Sequence, residues 1–270
     1  MVHPLIPPDQ ASSAHGPPLL VVTRQSGAVR VTRSHRHARG QLIGAAQGLL
    51  SVDAGHSRWV VPATHAVWVP PNVPHGLRSH GPFSGWSVYV TPSACGDLPG
   101  EPCIFAVSGL LREAVIRAAS WSGRTLDAAQ SRLAGVILDE IGNSPTVALG
   151  LPMPHDARLL KIARALTDRP DDARRLEEWA AWAGMAPRSL TRRFVAETGF
   201  SFTAWRQRVR LLRALELLAA GKPVTAIALD LGYDNVSAFI ALFRGVFGVT
   251  PGRYRTDAHH PVAKRGADPC

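Results

Sequence analysis

One pattern occurs twice between residues 174 and 256, and no other stretch restricts the fold as much. The first copy runs Trp179-Ala180, Gly184, Leu190, Phe194, Gly199, Trp205, and the second Ile227-Ala228, Gly232, Phe239, Phe243, Gly248, Tyr254. The copies are offset by 48 residues up to the turn glycine and by 49 beyond it, so the second turn carries one extra residue. Each copy reads as a helix, a glycine turn and a second helix. A solenoid needs about three or more units to bury a continuous core. Two units joined by a helix suit a pair of reading heads.

Helix signals bound each unit. Asp156 caps an amphipathic helix over Asp156–Thr167, and Pro170-Asp171-Asp172 breaks it. Leu176–Ala183 is the first helix of the first head. Pro187 takes the first position of the next helix, where a missing N–H is harmless, and Gly199 ends that helix. Leu190 and Phe194 face inward, so Arg188, Thr191 and Arg192 face outward, with Arg193 beside them. In the second head Val224–Leu231 leads through a turn to Val236–Phe247. Phe239 and Phe243 repeat the inward pair, leaving Val236, Ser237, Ile240 and Ala241 outward and Arg244 one turn on. Between the heads, Phe202–Ala220 reads as one long helix ended by Gly221-Lys222-Pro223.

Residues 156–256, closing on Gly248-Val249-Thr250-Pro251-Gly252-Arg253-Tyr254-Arg255, resemble the DNA-binding domain of the AraC family of bacterial transcription regulators. The resemblance implies double-stranded DNA as partner, a homodimer, and RNA polymerase as a further contact. Arg188, Thr191 and Arg192 match the family positions that reach base edges, and Arg193 is expected on phosphate. Arginine suits guanine because its fork makes two parallel hydrogen bonds to O6 and N7. The second head presents mostly small or apolar residues such as Val236 and Ile240, which could touch a thymine methyl, and it is expected to position mainly on the backbone through Asn235, Ser237 and Arg244. The long helix would hold the heads about 34 Å apart, one turn of B-DNA. Charge agrees: the chain carries +10, and residues 156–257 hold 17 Lys and Arg against 11 Asp and Glu.

The first hundred residues have a different period. Leu19–Thr23, Ala28–Arg33, Gln41–Ala46, Leu49–Asp53, Arg58–Val61, Ala66–Val69 and Trp86–Val90 are candidate strands, with Asp53-Ala54-Gly55-His56 as a hairpin turn. Short strands at this spacing predict an all-β sandwich or barrel. Here His35 and His37, at i and i+2, would share a strand face with Gln41, and His75 follows Pro70-Pro71. This set resembles the cupin pattern, in which three His and one Glu or Gln hold a divalent metal ion. Zn, Fe, Ni, Mn and Cu all suit such ligands. The alternative is that these are ordinary surface or core histidines. His56, His65 and His80 fall off the pattern and read as surface residues. Trp59, Trp68 and Trp86 read as barrel core rather than a ligand cage.

The expected fold is therefore α+β and multidomain, a cupin-like β-barrel followed by an all-α domain with two helix–turn–helix motifs. Residues 1–18, rich in Pro and Ser, are expected to be disordered, 19–100 to form the barrel, 101–155 a helical dimerisation and linker region, and 257–270 a tail. Within 101–155, amphipathic patterns run from Ser108 to Ala119 and from Leu126 to Ile141, and 150–154 reads as linker. Cys95, Cys103 and Cys270 form no CxxC pair and suggest reduced thiols. With no apolar run near the roughly 20 residues of a membrane span and no signal peptide, a cytoplasmic protein is expected.

The predicted function is a DNA-binding regulator responding to a small-molecule or metal effector in the barrel, with no catalytic residues. The alternative is a metal-dependent cupin enzyme fused to a DNA-binding domain. It needs a competent base where Gln41 stands, and an amide is a poor one. A relative that repairs alkylated DNA would need four zinc-binding cysteines, and the chain has three.

Overall fold

A computed structural model describes residues 6–121, 125–147 and 150–254. Helix α1 (Pro8–Ser12) precedes eight strands: β1 (Leu19–Ser26), β2 (Val31–His35), β3 (Gly40–Gln47), β4 (Leu49–Ala54), β5 (Ser57–Pro62), β6 (His65–Val69), β7 (His75–Ser79) and β8 (Phe83–Val90). Strand β9 (Cys103–Ala106), helices α2 (Gly109–Ala118) and α3 (Ala128–Asn143), and strand β10 (Gly150–Pro152) follow. The strands build two five-stranded antiparallel sheets, ordered β1-β8-β3-β6-β9 and β10-β5-β4-β7-β2. They face each other as a barrel-like sandwich.

Period-two alternation decides which side each residue serves. On β3 and β8, Leu42, Trp86 and Val88 turn outward and are covered by Leu111, Val115, Ile137 and Ile141 of α2 and α3. Gln41, Ile43, Ser87 and Tyr89 turn to the space between the sheets; Gln41 pairs with Tyr89 and Ile43 with Ser87 across the ladder. The two helices thus seal one face of the barrel, with Ser108 and Asp127 as their N-caps. The outer side of α2 leaves Leu110 and Ile116 more than half exposed. Trp59 and Trp68 are core, as expected, and the Trp68 indole N–H donates to the Pro99 carbonyl at 2.9 Å.

Several sequence expectations are corrected. Residues 6–18 are ordered against the barrel. Arg39, 2% exposed, donates to the carbonyls of Gln10, Pro17 and His15 at 3.0, 3.0 and 2.8 Å, and Ile6 and Ala11 pack with Tyr89. Composition misses this because the order comes from a residue beyond the segment. Arg39→Ala should free it, at a local cost of about 1.5–3 kcal/mol by the usual worth of a charge-assisted hydrogen bond. Limited proteolysis should then cut before residue 19, and an uncut segment would refute the clamp. Residues 150–152, expected as linker, instead pair with β5 as an edge strand. His80 and His65 are half-buried rather than at the surface. The expected tail at 257–270, with Cys270, lies outside the described residues.

Residues 157–254 are helical: α4 (Ala157–Asp168), α5 (Leu176–Trp182), α6 (Pro187–Thr198), α7 (Phe202–Ala219), α8 (Val224–Asp230) and α9 (Val236–Phe247). Asp156 caps α4, accepting from the Arg158 and Leu159 N–H groups. The repeat appears as predicted: α8 begins 48 residues after α5 and α9 begins 49 after α6. Gly184 and Gly232 take equivalent left-handed turns at φ +65° and +73°, and Gly199 and Gly248 end α6 and α9 at +73° and +74°. The extra residue is accommodated by different caps. Helix α6 starts with Pro187 and no side-chain cap, whereas the Asn235 side chain caps α9, accepting from the Ser237 and Ala238 N–H groups.

One buried cluster runs from the helical half into the second sheet, joining Trp179, Phe194, Trp205, Leu215, Phe239 and Phe243 to Leu49, Val60 and Leu151. Polar contacts mark the same seam. Ser51 on β4 donates to Glu216 on α7 at 3.0 Å, His80 lies 3.4 Å from that carboxylate, and Arg208 donates to the Gly150 carbonyl at 2.6 Å. No helix among the described residues is long and apolar enough to cross a membrane.

Candidate functional site

The space between the sheets holds a cavity of about 890 Å³ on the side of β1 and β2. The four residues singled out in the sequence meet in its wall. One ring nitrogen from each of His35, His37 and His75 lies within 4.8 Å of the other two. The Gln41 carbonyl oxygen sits 3.1 Å from His37 Nε2 and 3.0 Å from His75 Nε2. The route differs from the one expected. His35 ends β2, whose pairing with β7 shifts register between Thr32 and His35, and His37 lies beyond the strand. The strand β7 that carries His75 has no clear apolar alternation and is not among the predicted strands.

Backbone carbonyls orient all three rings. Nδ1 of His35 faces Arg33 O at 3.0 Å, Nδ1 of His37 faces Arg39 O at 2.8 Å, and Nδ1 of His75 faces Val73 O at 2.8 Å. A carbonyl only accepts, so each Nδ1 is placed to donate; in the neutral tautomer this favours, Nε2 keeps its lone pair. Burial pushes the His75 pKa down to about 4 and holds His37 below its usual value. The Gln41 amide nitrogen donates to Ser87 Oγ at 3.1 Å, which fixes the oxygen toward the rings. The result is three imidazole rings and one amide oxygen held close together in the cavity wall.

Tyr89, Ser87 and Phe83 also line this space, with Arg24, Arg30, Arg33 and Arg36, none of which the sequence pattern singled out. The signal for Ser87 and Tyr89 was their alternation with Val88 and Val90 on β8. Trp86, read as core, belongs to the helix-facing cluster and also reaches the cavity wall.

The second site is the outer surface of the repeat. Leu190, Phe194, Phe239 and Phe243 are fully buried. Arg188, Thr191 and Arg192 are exposed on α6; Ser237 and Arg244 are exposed on α9, where Val236 and Ile240 are half-buried. Two residues already have partners. Arg193 pairs with Asp156 at 2.7 Å, tying α6 to the cap of α4, and Asn235 is engaged in capping α9.

Comparisons with known proteins match both halves. The family described as AraC-like ligand binding domain covers residues 17–134, and the one described as helix-turn-helix domain covers 179–257. The HTH-type transcriptional regulator NimR of Escherichia coli K12 is 34% identical over 221 residues, covering 82% of this chain and 81% of its own length. The arabinose operon regulatory protein of Salmonella typhimurium is 25% identical over 203 residues, covering 69% and 72%. Among solved structures, unsaturated fatty acid bound ToxT of Vibrio cholerae aligns over 88% of this chain and 94% of its own, at 13% identity and a TM-score of 0.38. The relatives reported are named as regulators, so an enzyme role is not indicated. With both modules matched in this order, and a regulator matched along most of its length, the chain belongs to the AraC family of DNA-binding transcription regulators and carries a ligand-binding domain in its N-terminal half.

Proposed function

We propose that the protein is a metal-responsive member of this family that reads its operator chiefly through α6. The observation that carries the metal part is the grouping of one ring nitrogen from each of His35, His37 and His75 within 4.8 Å, with the Gln41 oxygen 3.1 and 3.0 Å from Nε2 of His37 and His75. His35, His37, His75 and Gln41 would hold the ion. Two ligands of one such ion, at about 2.0–2.2 Å each, stand at most about 4.4 Å apart, so the rings need only a small closure. Bound there, a divalent ion would supply a fixed positive charge in the cavity wall. DNA selection with purified protein, with and without added Zn(II), Ni(II), Mn(II), Cu(II) or Fe(II), tests the reading. An enriched sequence whose affinity changes with metal is expected. Equal enrichment in every condition would remove the metal, and no enriched sequence would remove the operator.

On DNA, Arg188, Thr191 and Arg192 are assigned to base edges. Ser237 and Arg244 are assigned to the backbone, with Val236 and Ile240 beside them on the second head. Arg193 and Asn235 are kept as secondary contacts, since each is already committed within the fold. Arg192→Ala should cut discrimination at one base position by about 1–3 kcal/mol. Arg244→Ala should weaken all sequences alike and reduce the salt dependence of binding. A base-specific loss at Arg244 would overturn this division.

The domain reading is a ligand-binding unit over 19–100 extended by the ordered segment before it, a helical region over 101–155, and the DNA-binding unit over 156–256. Homodimerisation through the outer side of α2 and α3 is supported by exposed Leu110 and Ile116. RNA polymerase is the expected contact if regulation is by activation, and the cytoplasm is the expected compartment.

A further inference from the structure

The wall of the sandwich cavity is polarised in a way that the metal ligands do not account for. Four arginines line it, Arg24 on β1 and Arg30, Arg33 and Arg36 on or beside β2, and among the described residues no aspartate or glutamate does. These two strands are the free edges of the two sheets on the same side, so the arginines flank the seam by which the cavity meets solvent. Arg30 is only 9% exposed, and Arg24, Arg33 and Arg36 are exposed. Deeper in, the lining turns apolar and aromatic, with Ile43, Leu50, Leu77, Phe83 and Trp86.

A positive rim over an apolar interior selects against two ligand types. A free sugar would want a lining of side-chain acceptors and donors throughout, and a small inorganic anion would leave the apolar floor unfilled. We infer that the effector of this cavity is an organic acid, an apolar or aromatic body bearing a carboxylate, sulfonate or phosphate held at the arginine rim. The body sits against Phe83, Trp86 and Leu77, and the acid group meets Arg24 and Arg30. The inference rests on the reading of this cavity as the effector site and adds the ligand's charge and shape. It does not need the metal, though an acid group near the rim lies on the histidine side of the same space.

The ordered Arg30 backbone gives the rim a fixed base. Its N–H donates to Ser79 Oγ at 2.8 Å, and its carbonyl accepts from the Ser79 N–H at 2.9 Å, locking the start of β2 to the end of β7. Burial, and after it the neighbouring Arg24 charge, hold the Arg30 guanidinium below its ordinary value. An incoming anion would offset the Arg24 repulsion.

A matched pair of fluorescent probes tests this on the full chain. 1-Anilinonaphthalene-8-sulfonate and N-phenyl-1-naphthylamine share an aromatic skeleton, and only the first carries an acid group. The sulfonate is expected to bind at one site per chain, about tenfold or more tighter than the neutral probe, as a charge-assisted contact predicts. Arg24→Gln and Arg30→Gln should each weaken the sulfonate about tenfold and leave the neutral probe within about twofold. Arg24 is exposed, so its variant keeps the test valid if the buried Arg30→Gln fails to fold. Millimolar inorganic phosphate should not displace the sulfonate, whereas decanoate should. Equal binding of both probes, equal loss of both in the variants, displacement by inorganic phosphate, or no sulfonate binding would each overturn the inference. DNA selection on the same preparation reads the regulator function separately, so loss of one result leaves the other standing.

Discussion

Trp205→Ala is expected to lower the free energy of unfolding by about 3–5 kcal/mol, the usual cost of emptying a large buried aromatic site. Trp205 is fully buried at the start of α7, its ring 5.3 Å from that of Phe194 on α6. Its indole N–H donates at 2.7 Å to the carbonyl of Pro152, the last residue of β10. One side chain therefore holds the first head, the helix between the heads and the strand that leaves the barrel. Trp205→Phe separates these roles. It keeps most of the apolar contact and loses the hydrogen bond, at about 1 kcal/mol. Denaturant unfolding should rank wild type above Trp205→Phe and that above Trp205→Ala. Hydrogen exchange in Trp205→Phe should rise at β10 with little change in α6. If the two variants were equally stable, the packing account would fail; if β10 were unaffected, the joint would be held by the apolar cluster alone.

The helical half was legible because its signals are local. A 3.6-residue period, a Pro at one helix start and glycines at the ends place α6 at Pro187–Thr198 and α9 at Val236–Phe247. Even the extra residue in the second turn is visible as a change of offset. The strands were harder. β7 is short and mixed in polarity, and β10 is three residues with a Pro, so their pairing is decided by partners far along the chain. Grouping His35 with His37 by period two reached the right neighbours through a strand that ends between them. The arginine rim was not legible at all, because it depends on two edge strands from different sheets lying side by side.

The same distinction between local and distant cause governs the second large effect, at His75. His75→Ala is expected to abolish the stabilisation by divalent metal that wild type shows. At a metal concentration about a hundred times the dissociation constant that stabilisation is about 2.7 kcal/mol, read as a rise in melting temperature after chelator-treated protein is reloaded. Ser87→Ala should give a smaller loss, about 10–100-fold in metal affinity, as for other groups that orient a ligand. The reason lies in the Gln41 amide. With all three Nδ1 protons on backbone carbonyls, His37 Nε2, His75 Nε2 and Gln41 Oε1 direct lone pairs at one another across 3.0–3.1 Å. A cation between them satisfies all three. Without one, turning the amide over would let its NH₂ donate to both rings, and Ser87 Oγ–H would donate to the oxygen instead. Ser87 accepts from the amide nitrogen in the orientation that turns the oxygen toward the rings, so its loss loosens that orientation, whereas loss of His75 removes a ring lone pair outright. Equal metal stabilisation of wild type and His75→Ala would assign the cluster to core packing. A Ser87→Ala effect as large as that of His75→Ala would mean that Ser87 acts on the metal directly and not through Gln41.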